Sequence, residues 1–196
     1  DFLADDQPIG TSINGFKVIG SRTILSELDP KQIEICIAVG TPAHRRKMVE
    51  YVNLLGYRCA TLIDPTALIR PSVILGQGCL VLANTVLNSH VRVSDHVFLN
   101  TGVILGHHVS IGAYTVVLTG AKILGGSNVE EGVEIGAGTC VYPKTRIGAW
   151  SKVAMSSAVF KEVQPYEVVS GNPARLITQN PSNWFEVELQ EIPDVT

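Results

Sequence analysis

Three of the five histidines in the chain are spaced so that they could act together. His107 and His108 are adjacent, and His90 precedes His108 by 18 residues. Histidine accepts and returns a proton near neutral pH, which is the task of a general acid or base. A pair of exposed histidines at a turn is also an ordinary surface feature. The elements that position these side chains decide between the two interpretations.

The segment that carries these histidines has a repeat of six residues. Steps of six from Ile63 to Val159 meet seventeen residues, all of them Ile, Leu or Val. The residue four places after each of these, from Ala67 to Val163, is small or β-branched. Neither an α-helix nor a simple strand has this period, and one large plus one small inward residue predicts a flat face of a triangular coil. Three units form a coil, so residues 63–163 supply about five and a half coils stacked about 4.8 Å apart.

A coil of three units, or 18 residues, determines which side chains are neighbours on adjacent coils. His90 and His108 lie above one another, with His107 beside them. His107 faces a coil that carries a glycine, and therefore no side chain, at the matching position. The column through His107 contains Ser89, His107, Gly125, Pro143 and Lys161.

The segment before the repeat predicts a β-α-β unit. Residues 34–39 form an apolar strand, and Thr41 and Pro42 suit the N-cap and first turn of a helix. Gly56 is a suitable stop for that helix, and residues 58–63 return as a second strand. This unit leads directly into the first coil.

The segment after the repeat is a candidate cap, because a stacked coil leaves unpaired strand edges at its ends. Residues 178–196 contain Trp184 and Phe185 and have no basic residue. We expect this tail to pack on the last coil, and the alternative is an arm that binds a partner. Its acidic residues are Glu186, Glu188, Glu191 and Asp194.

The composition excludes several classes of partner. A net charge of -3 provides no basic field for nucleic acid or for an anionic membrane surface. No apolar run reaches the roughly 18 residues that a membrane span requires. The four cysteines are far apart, without a C-x-x-C spacing, which favours reduced thiols over a disulfide frame or a zinc site. We therefore expect a soluble, cytoplasmic protein without membrane insertion, nucleic acid or metal.

The repeat resembles that of the hexapeptide-repeat acyltransferases, which form a left-handed parallel β-helix. Residues 100–112, NTGVILGHHVSIG, resemble the active-site coil of bacterial nucleotide-sugar acetyltransferases of the sialic acid and bacillosamine type. Residues 2–6 (FLADD), 15–20 (GFKVIG) and 38–40 (AVG) are similar to motifs of that family's N-terminal domain, and residues 171–175 (GNPAR) resemble the segment that ends its β-helix. The resemblance covers residues 1–177.

This resemblance implies a mainly β fold with three parts. Residues 1–61 form a small Rossmann-like α/β domain on the substrate side, which lacks its first strand and its glycine-rich phosphate turn. Residues 62–163 form the left-handed β-helix, and residues 164–196 form a C-terminal cap. The missing strand indicates either a truncated domain or a degenerate one.

The resemblance also implies roles for single residues. His107 corresponds to the general base, and the backbone N–H of Gly125 corresponds to a donor for the acetyl carbonyl. Alternatively, Gly125 and Gly126 merely allow a tight corner with positive φ. The family's acidic residue after the base is His108 here, and a second family histidine corresponds to Val116. Another group, such as a carboxylate from a neighbouring subunit, then has to fix the tautomer of His107.

Acetyl-coenzyme A is the co-substrate that the resemblance implies. It would lie along the coils from His107 towards Lys161, a distance of about 14 Å at the spacing between strands. Lys152, Lys161 and Arg175 provide cations for its phosphates. The candidate cofactor residues are Gly125, Met155, Ser156, Lys161, Asn172 and Arg175. The candidate acceptor residues are Asp5, Asp6 and His90, although His90 and His96 are also typical of solvent or interface positions.

The function expected from the sequence is transfer of an acetyl group to an amine or hydroxyl of a sugar or nucleotide-linked sugar, with His107 and His108 in the catalytic site. A homotrimer is expected because clefts between neighbouring subunits would hold an elongated cofactor. One alternative is a non-catalytic scaffold or binding protein. Another is a γ-class carbonic anhydrase, which would need a histidine about five residues after His107, where this chain has Gly112.

Overall fold

The computed structural model describes residues 1–179. The chain begins with a unit of short strands and one α-helix. Its elements are β1 (Phe2–Leu3), β2 (Ser12–Ile13), β3 (Phe16–Gly20), a 3-10 helix (Arg22–Ser26), β4 (Glu34–Ile35), α1 (Pro42–Leu54) and β5 (Arg58–Cys59). Strand β3 lies between β1 and β2, while β4 and β5 form a separate parallel pair.

The predicted β-α-β unit is present, with shorter strands than the sequence indicated. Helix α1 begins at Pro42, but the side chain of Thr41 makes no capping hydrogen bond. Gly56 follows the helix with a φ of +83°, a conformation that glycine adopts at little cost. The apolar face of α1 packs on the unit's own core. This core contains Leu25, Ile37, Val49, Val52 and Tyr57.

Residues 62–159 form a triangular coil of two-residue strands on three parallel sheets. The first sheet contains β6 (Leu62–Ile63), β9 (Leu80–Val81), β12 (Phe98–Leu99), β15 (Val116–Val117), β18 (Glu134–Ile135) and β21 (Lys152–Val153). The second contains β7 (Leu68–Ile69), β10 (Val86–Leu87), β13 (Ile104–Leu105), β16 (Lys122–Ile123), β19 (Cys140–Val141) and β22 (Ala158–Val159). The third contains β8 (Ile74–Leu75), β11 (Arg92–Val93), β14 (Ser110–Ile111), β17 (Asn128–Val129) and β20 (Arg146–Ile147). Phe98 lies opposite Val116, and Ile104 opposite Lys122, which confirms the coil of 18 residues.

A hairpin follows the last coil. Strand β23 (Glu167–Ser170) pairs in parallel with β21, and β24 (Arg175–Gln179) pairs antiparallel with β23. The hairpin thereby adds two strands to the first sheet at its C-terminal edge. The tail with Trp184 and Phe185 lies outside the described residues, and its role as cap or arm stays a prediction. The domain boundaries drawn at residues 61 and 163 also stay predictions.

The inward residues of the repeat form one continuous core. From Val81 to Val159, the large residue of every unit is buried, whereas Ile63 at the open end is 47% exposed. The small inward residues include Thr and Ser, whose hydroxyls donate to backbone carbonyls. Thr115 Oγ1, for example, donates to Glu130 O at 2.8 Å, and Ser127 Oγ donates to Tyr142 O at 2.9 Å. Most of these polar side chains are therefore satisfied inside an apolar prism.

The three corners of the coil are turns with a regular backbone. Every sixth residue from Gly78 to Ser156 has positive φ, and several of these residues are not glycine. Two of the three corners contain histidines. The His107 corner joins the second sheet to the third and comprises residues 88–91, 106–109, 124–127, 142–145 and 160–163. The α1 corner joins the third sheet to the first and comprises residues 76–79, 94–97, 112–115, 130–133 and 148–151.

The N-terminal unit packs on the α1 corner through two arginines of its helix. Arg45 is completely buried, and its guanidinium donates to His96 O at 2.5 Å and to Gly78 O at 3.2 Å, as well as to Ile37 O. Arg46 stacks over the ring of Trp150 at 5.8 Å, so that α1 runs alongside several coils.

Two further sequence expectations concern the thiols and the membrane. All four cysteines are unpaired. Burial raises the pKa of Cys79 to about 11, so this thiol stays protonated at neutral pH. Within residues 1–179, no helix has the length and hydropathy that crossing a bilayer demands.

Candidate active site

His107 lies at the turn after β13, with its imidazole directly over Gly125 of the next coil. A Cβ atom added to Gly125 would be 2.5 Å from His107 Nε2 and 2.7 Å from Cε1. Only glycine therefore leaves room for this ring. The positive φ of the corner belongs to Gly126, at +73°, and not to Gly125. The tight-corner interpretation therefore applies to Gly126 and not to Gly125, and the donor role of the Gly125 N–H stays a prediction.

The backbone amide of Gly125 is a candidate donor for a ligand. The neighbouring groups are used: Gly126 N–H donates to His107 O at 2.8 Å, and Lys144 N–H donates to Gly125 O at 3.0 Å. Within residues 1–179, the N–H of Gly125 has no backbone acceptor. A Cβ on Gly106 would lie 2.6 Å from this nitrogen, so the glycine at 106 keeps the amide unobstructed. An imidazole beside an unpaired amide donor can combine a base with an oxyanion site.

Two more imidazoles extend the site. His107 Nδ1 and His108 Nδ1 are 3.2 Å apart, and the two rings are nearly perpendicular, at 82°. The ring of His90, one coil below, lies 4.8 Å from that of His108 between centroids. The structure therefore brings together the three histidines that the spacing in the sequence selected. Val116, the position where the resemblance implied a second histidine, is buried and provides no polar group.

The coils above His107 provide a surface for an elongated ligand. Lys161 is exposed three coils above His107 in the same column. Two aromatic side chains that the sequence analysis missed lie next to this column. Tyr142 and Phe160 are 55% and 54% exposed, with ring centroids 5.7 Å apart. The signal that could have found them is their spacing of one coil, directly before Pro143 and Lys161.

The other cofactor candidates are distributed around the top of the β-helix. Arg175 is exposed on β24, and its Nη1 donates to Ala174 O at 3.1 Å. Asn172 is exposed in the turn before β24. In the same turn, the N–H of Ala174 donates to Ala158 O at 2.8 Å. Lys152 differs from the other two predicted cations because it forms an ion pair with Glu134 at 2.9 Å.

Met155 and Ser156 lie at the corner that joins the first sheet to the second. Both are exposed. The whole width of the second sheet separates them from Lys161 and the His107 corner. One chain therefore does not assemble all six predicted cofactor residues on one side of the prism.

The residues predicted to bind the acceptor sugar also lie at two different corners. Asp5 is held by Arg22, whose backbone N–H donates to Asp5 Oδ1 at 3.0 Å and whose Nε lies 3.4 Å from Oδ2. Asp5 and the exposed Asp6 belong to the unit on the α1 corner, whereas His90 belongs to the His107 corner. Within the described part of the chain, no three His, Cys, Asp or Glu side chains are grouped as metal ligands.

Comparison with known proteins gives a consistent result. Residues 2–52 match the family model described as the PglD N-terminal domain. The acetyltransferase domain of PglB from Neisseria gonorrhoeae FA1090, in complex with acetyl coenzyme A, is 34% identical, with a TM-score of 0.85 over 90% of this chain and 85% of that one. PerB from Caulobacter crescentus, in complex with CoA and GDP-perosamine, is 27% identical, with a TM-score of 0.82 over 85% of this chain and 81% of that one. WeeI from Acinetobacter baumannii AYE is 27% identical, with a TM-score of 0.83 over 88% and 84%.

The fold and these similarities define a left-handed β-helix acyltransferase. The chain belongs to the hexapeptide-repeat family of bacterial nucleotide-sugar acetyltransferases, which confirms the resemblance stated from its sequence.

Proposed function

We propose that the protein transfers the acetyl group of acetyl-coenzyme A to an amino group of a nucleotide-linked sugar, with His107 as general base. The observation that carries this proposal is the contact between His107 Nε2 and Gly125, whose N–H is unpaired within residues 1–179. The relatives support the substrates: the PglB domain is in complex with acetyl coenzyme A, and PerB with CoA and GDP-perosamine.

The arrangement provides each step of acyl transfer. His107 Nε2 removes a proton from the amine as its nitrogen attacks the carbonyl carbon of the thioester. The carbonyl oxygen becomes an oxyanion, and the N–H of Gly125 donates to it. Collapse of this intermediate breaks the C–S bond and releases the thiolate of coenzyme A. The proton held by His107 returns to this leaving group, so the base is regenerated.

The cofactor would extend from His107 up the same corner. Three coils at about 4.8 Å each span about 14 Å, comparable to a pantetheine arm. Tyr142 and Phe160 would pack against its apolar parts, and Lys161 would face its phosphates. Arg175 and Asn172 of the cap would complete the phosphate end.

A homotrimer would complete the site. In one subunit, the unit that carries Asp5 and Asp6 packs away from the His107 corner, and Met155 and Ser156 lie across the second sheet. Neighbouring subunits would bring these residues into a shared cleft. The outward apolar residues of the second sheet support such contacts. They are Leu68, Val86 and Ile104.

The test compares wild type with His107→Ala in a thiol-release assay with acetyl-coenzyme A. The acceptors are nucleotide-linked sugars that carry either an amino or only hydroxyl groups. The turnover of His107→Ala on the amino sugar should fall about 10² to 10⁴-fold, with little change in the KM for acetyl-coenzyme A. His44→Ala, on helix α1, is the matched control and should retain its turnover.

Three outcomes would contradict parts of the proposal. Unchanged turnover of His107→Ala would show that His107 is not the general base. Turnover confined to hydroxyl acceptors would change the reaction to O-acetylation. Binding of coenzyme A without thiol release for any acceptor would favour the non-catalytic alternative.

A further inference from the structure

The residue that orients His107 can be inferred from the geometry of the His107 corner. His108 follows His107 directly, and its Nδ1 lies 3.2 Å from Nδ1 of His107. In the part of the chain that the structure describes, no carboxylate forms an ion pair with His90, His107 or His108.

When both rings are neutral, the hydrogen bond between the two Nδ1 atoms can run in either of two directions. One of the two nitrogens has to carry a proton and the other has to accept it. His107 Nε2 faces Gly125, and it can act as a base only when the proton of that ring is on Nδ1. His107 must then be the donor, and His108 the acceptor. His108 therefore has to be neutral, with its own proton on Nε2.

Protonation of His108 reverses this hydrogen bond. A protonated imidazole has no free lone pair, so His108 Nδ1 becomes a donor. His107 Nδ1 has to accept, and the proton of a neutral His107 then lies on Nε2. That tautomer has no base directed at Gly125. One protonation, on the neighbouring ring, thus inactivates His107 without charging it.

Side chains from the coils on both sides lie close to the His108 corner position. The ring of His90 packs against it from the coil below. Above it lies Gly126, over which the stem of Lys144 passes, with Cγ 3.3 Å from the position of an added Cβ. These two contacts bring no carboxylate beside His108.

We propose that His108 is the positioning residue of the site, and that its neutral form sets the tautomer in which His107 acts as a base. Activity then requires two neutral imidazoles in place of one. The proposal rests on the function proposed above. It predicts a steeper loss of turnover in acid than a single base would give.

Backbone geometry provides matched variants. His108 has a φ of +57°, and Gly126 occupies the same position one coil above. His108→Gly therefore removes the acceptor without strain, and His108→Asn suits this conformation while offering an acceptor that does not titrate. Relative to wild type, His108→Gly should lose about 10 to 100-fold in kcat, with the KM for acetyl-coenzyme A unchanged. His108→Asn should recover most of that loss.

The pH profile of kcat and the tautomer of His107 distinguish a positioning role of His108 from a purely structural one. On the acid side, log kcat of wild type should rise with a slope of two, and that of His108→Asn with a slope of one. Nitrogen-15 NMR of histidine-labelled protein should find the His107 proton on Nδ1 in wild type, and a mixed tautomer in His108→Gly. Equal kcat, a slope of one and the same tautomer in all three proteins would overturn the proposal. If His107→Ala remained active, the proposed base itself would fail, whatever the result for His108.

Discussion

Two corners of the β-helix contain the same unusual contact, an imidazole lying over a glycine of an adjacent coil. At the His107 corner, His107 covers Gly125 of the coil above. At the α1 corner, the ring of His96 contacts the position where Gly78 of the coil below would carry a side chain. The first ring is exposed, whereas the second is 5% exposed. The contact alone therefore does not define a catalytic site.

The difference arises from what covers each corner. His96 stacks on Tyr114 at 5.5 Å, and Arg45 of α1 donates to its carbonyl oxygen. No hydrogen-bond partner exists for His96 Nδ1 among the described residues, and no substrate could reach it. His107 has a partner for Nδ1, and its side chain is exposed. The position of the N-terminal unit thus buries one histidine and leaves the other, the proposed base, exposed.

The sharpest test of this comparison replaces each glycine by alanine. Gly125→Ala forces the imidazole of His107 out of position and should lower kcat about 10² to 10³-fold, because both the base and the amide donor are displaced. Gly78→Ala should mainly cost stability, on the order of 1 to 3 kcal/mol, because its φ is +65° and the ring of His96 occupies the space. Turnover and urea unfolding of both variants are measured. A Gly125→Ala variant with normal kcat would contradict the comparison.

The sequence predicted the β-helix because its information is local and repeated. Each unit has a large inward residue, such as Leu99 or Leu105, and the register follows from arithmetic alone. The same arithmetic put His107 beside Gly125. The β-α-β unit before the repeat was predicted, but its place on the side of the β-helix was not. That place depends on Arg45, whose acceptors are backbone carbonyls and leave no trace in the sequence.

The orientation of His107 was also beyond the sequence. The sequence analysis left open which group fixes the tautomer of His107, with a carboxylate from a neighbouring subunit as one example. Within one chain, the Nδ1 atoms of His107 and His108 are in contact, and a part played by a neighbouring subunit stays a prediction. Residue types do not show whether His108 accepts a hydrogen bond from His107, because a histidine is a donor or an acceptor according to its tautomer. His108 also has a φ of +57°, which residue types alone do not report.

The second test loosens the α1 corner by changing Arg45. Arg45→Met retains volume but leaves buried carbonyl groups of Gly78, His96 and Ile37 without their donor. The free energy of unfolding should fall by about 3 kcal/mol. Arg46→Ala is the comparison variant, because Arg46 is partly exposed. Its ion pairs with Glu50 and Glu131 and its stacking on Trp150 should each contribute about 1 kcal/mol or less. Equal losses for the two variants in urea unfolding would show that the buried arginine has no special role.

The smallest expected effect is the pH dependence of stability at the α1 corner. Burial, with a smaller contribution from the Arg45 charge, lowers the pKa of His96 below its ordinary 6.5, and Asp95 opposes this shift. The unfolded chain therefore binds more protons than the folded one below pH 6.5, and stability should fall as pH drops from 7.5 to 5.5. His96→Asn suits the φ of +58° and removes the titrating ring. It should be less stable than wild type at pH 7.5, because the stacking on Tyr114 is lost, but the difference should narrow by up to about 1 kcal/mol at pH 5.5. The free energy of unfolding of both proteins is measured by urea unfolding across this pH range. If both proteins lost the same stability, His96 would not resist protonation. Burial under α1 would then not distinguish His96 from His107.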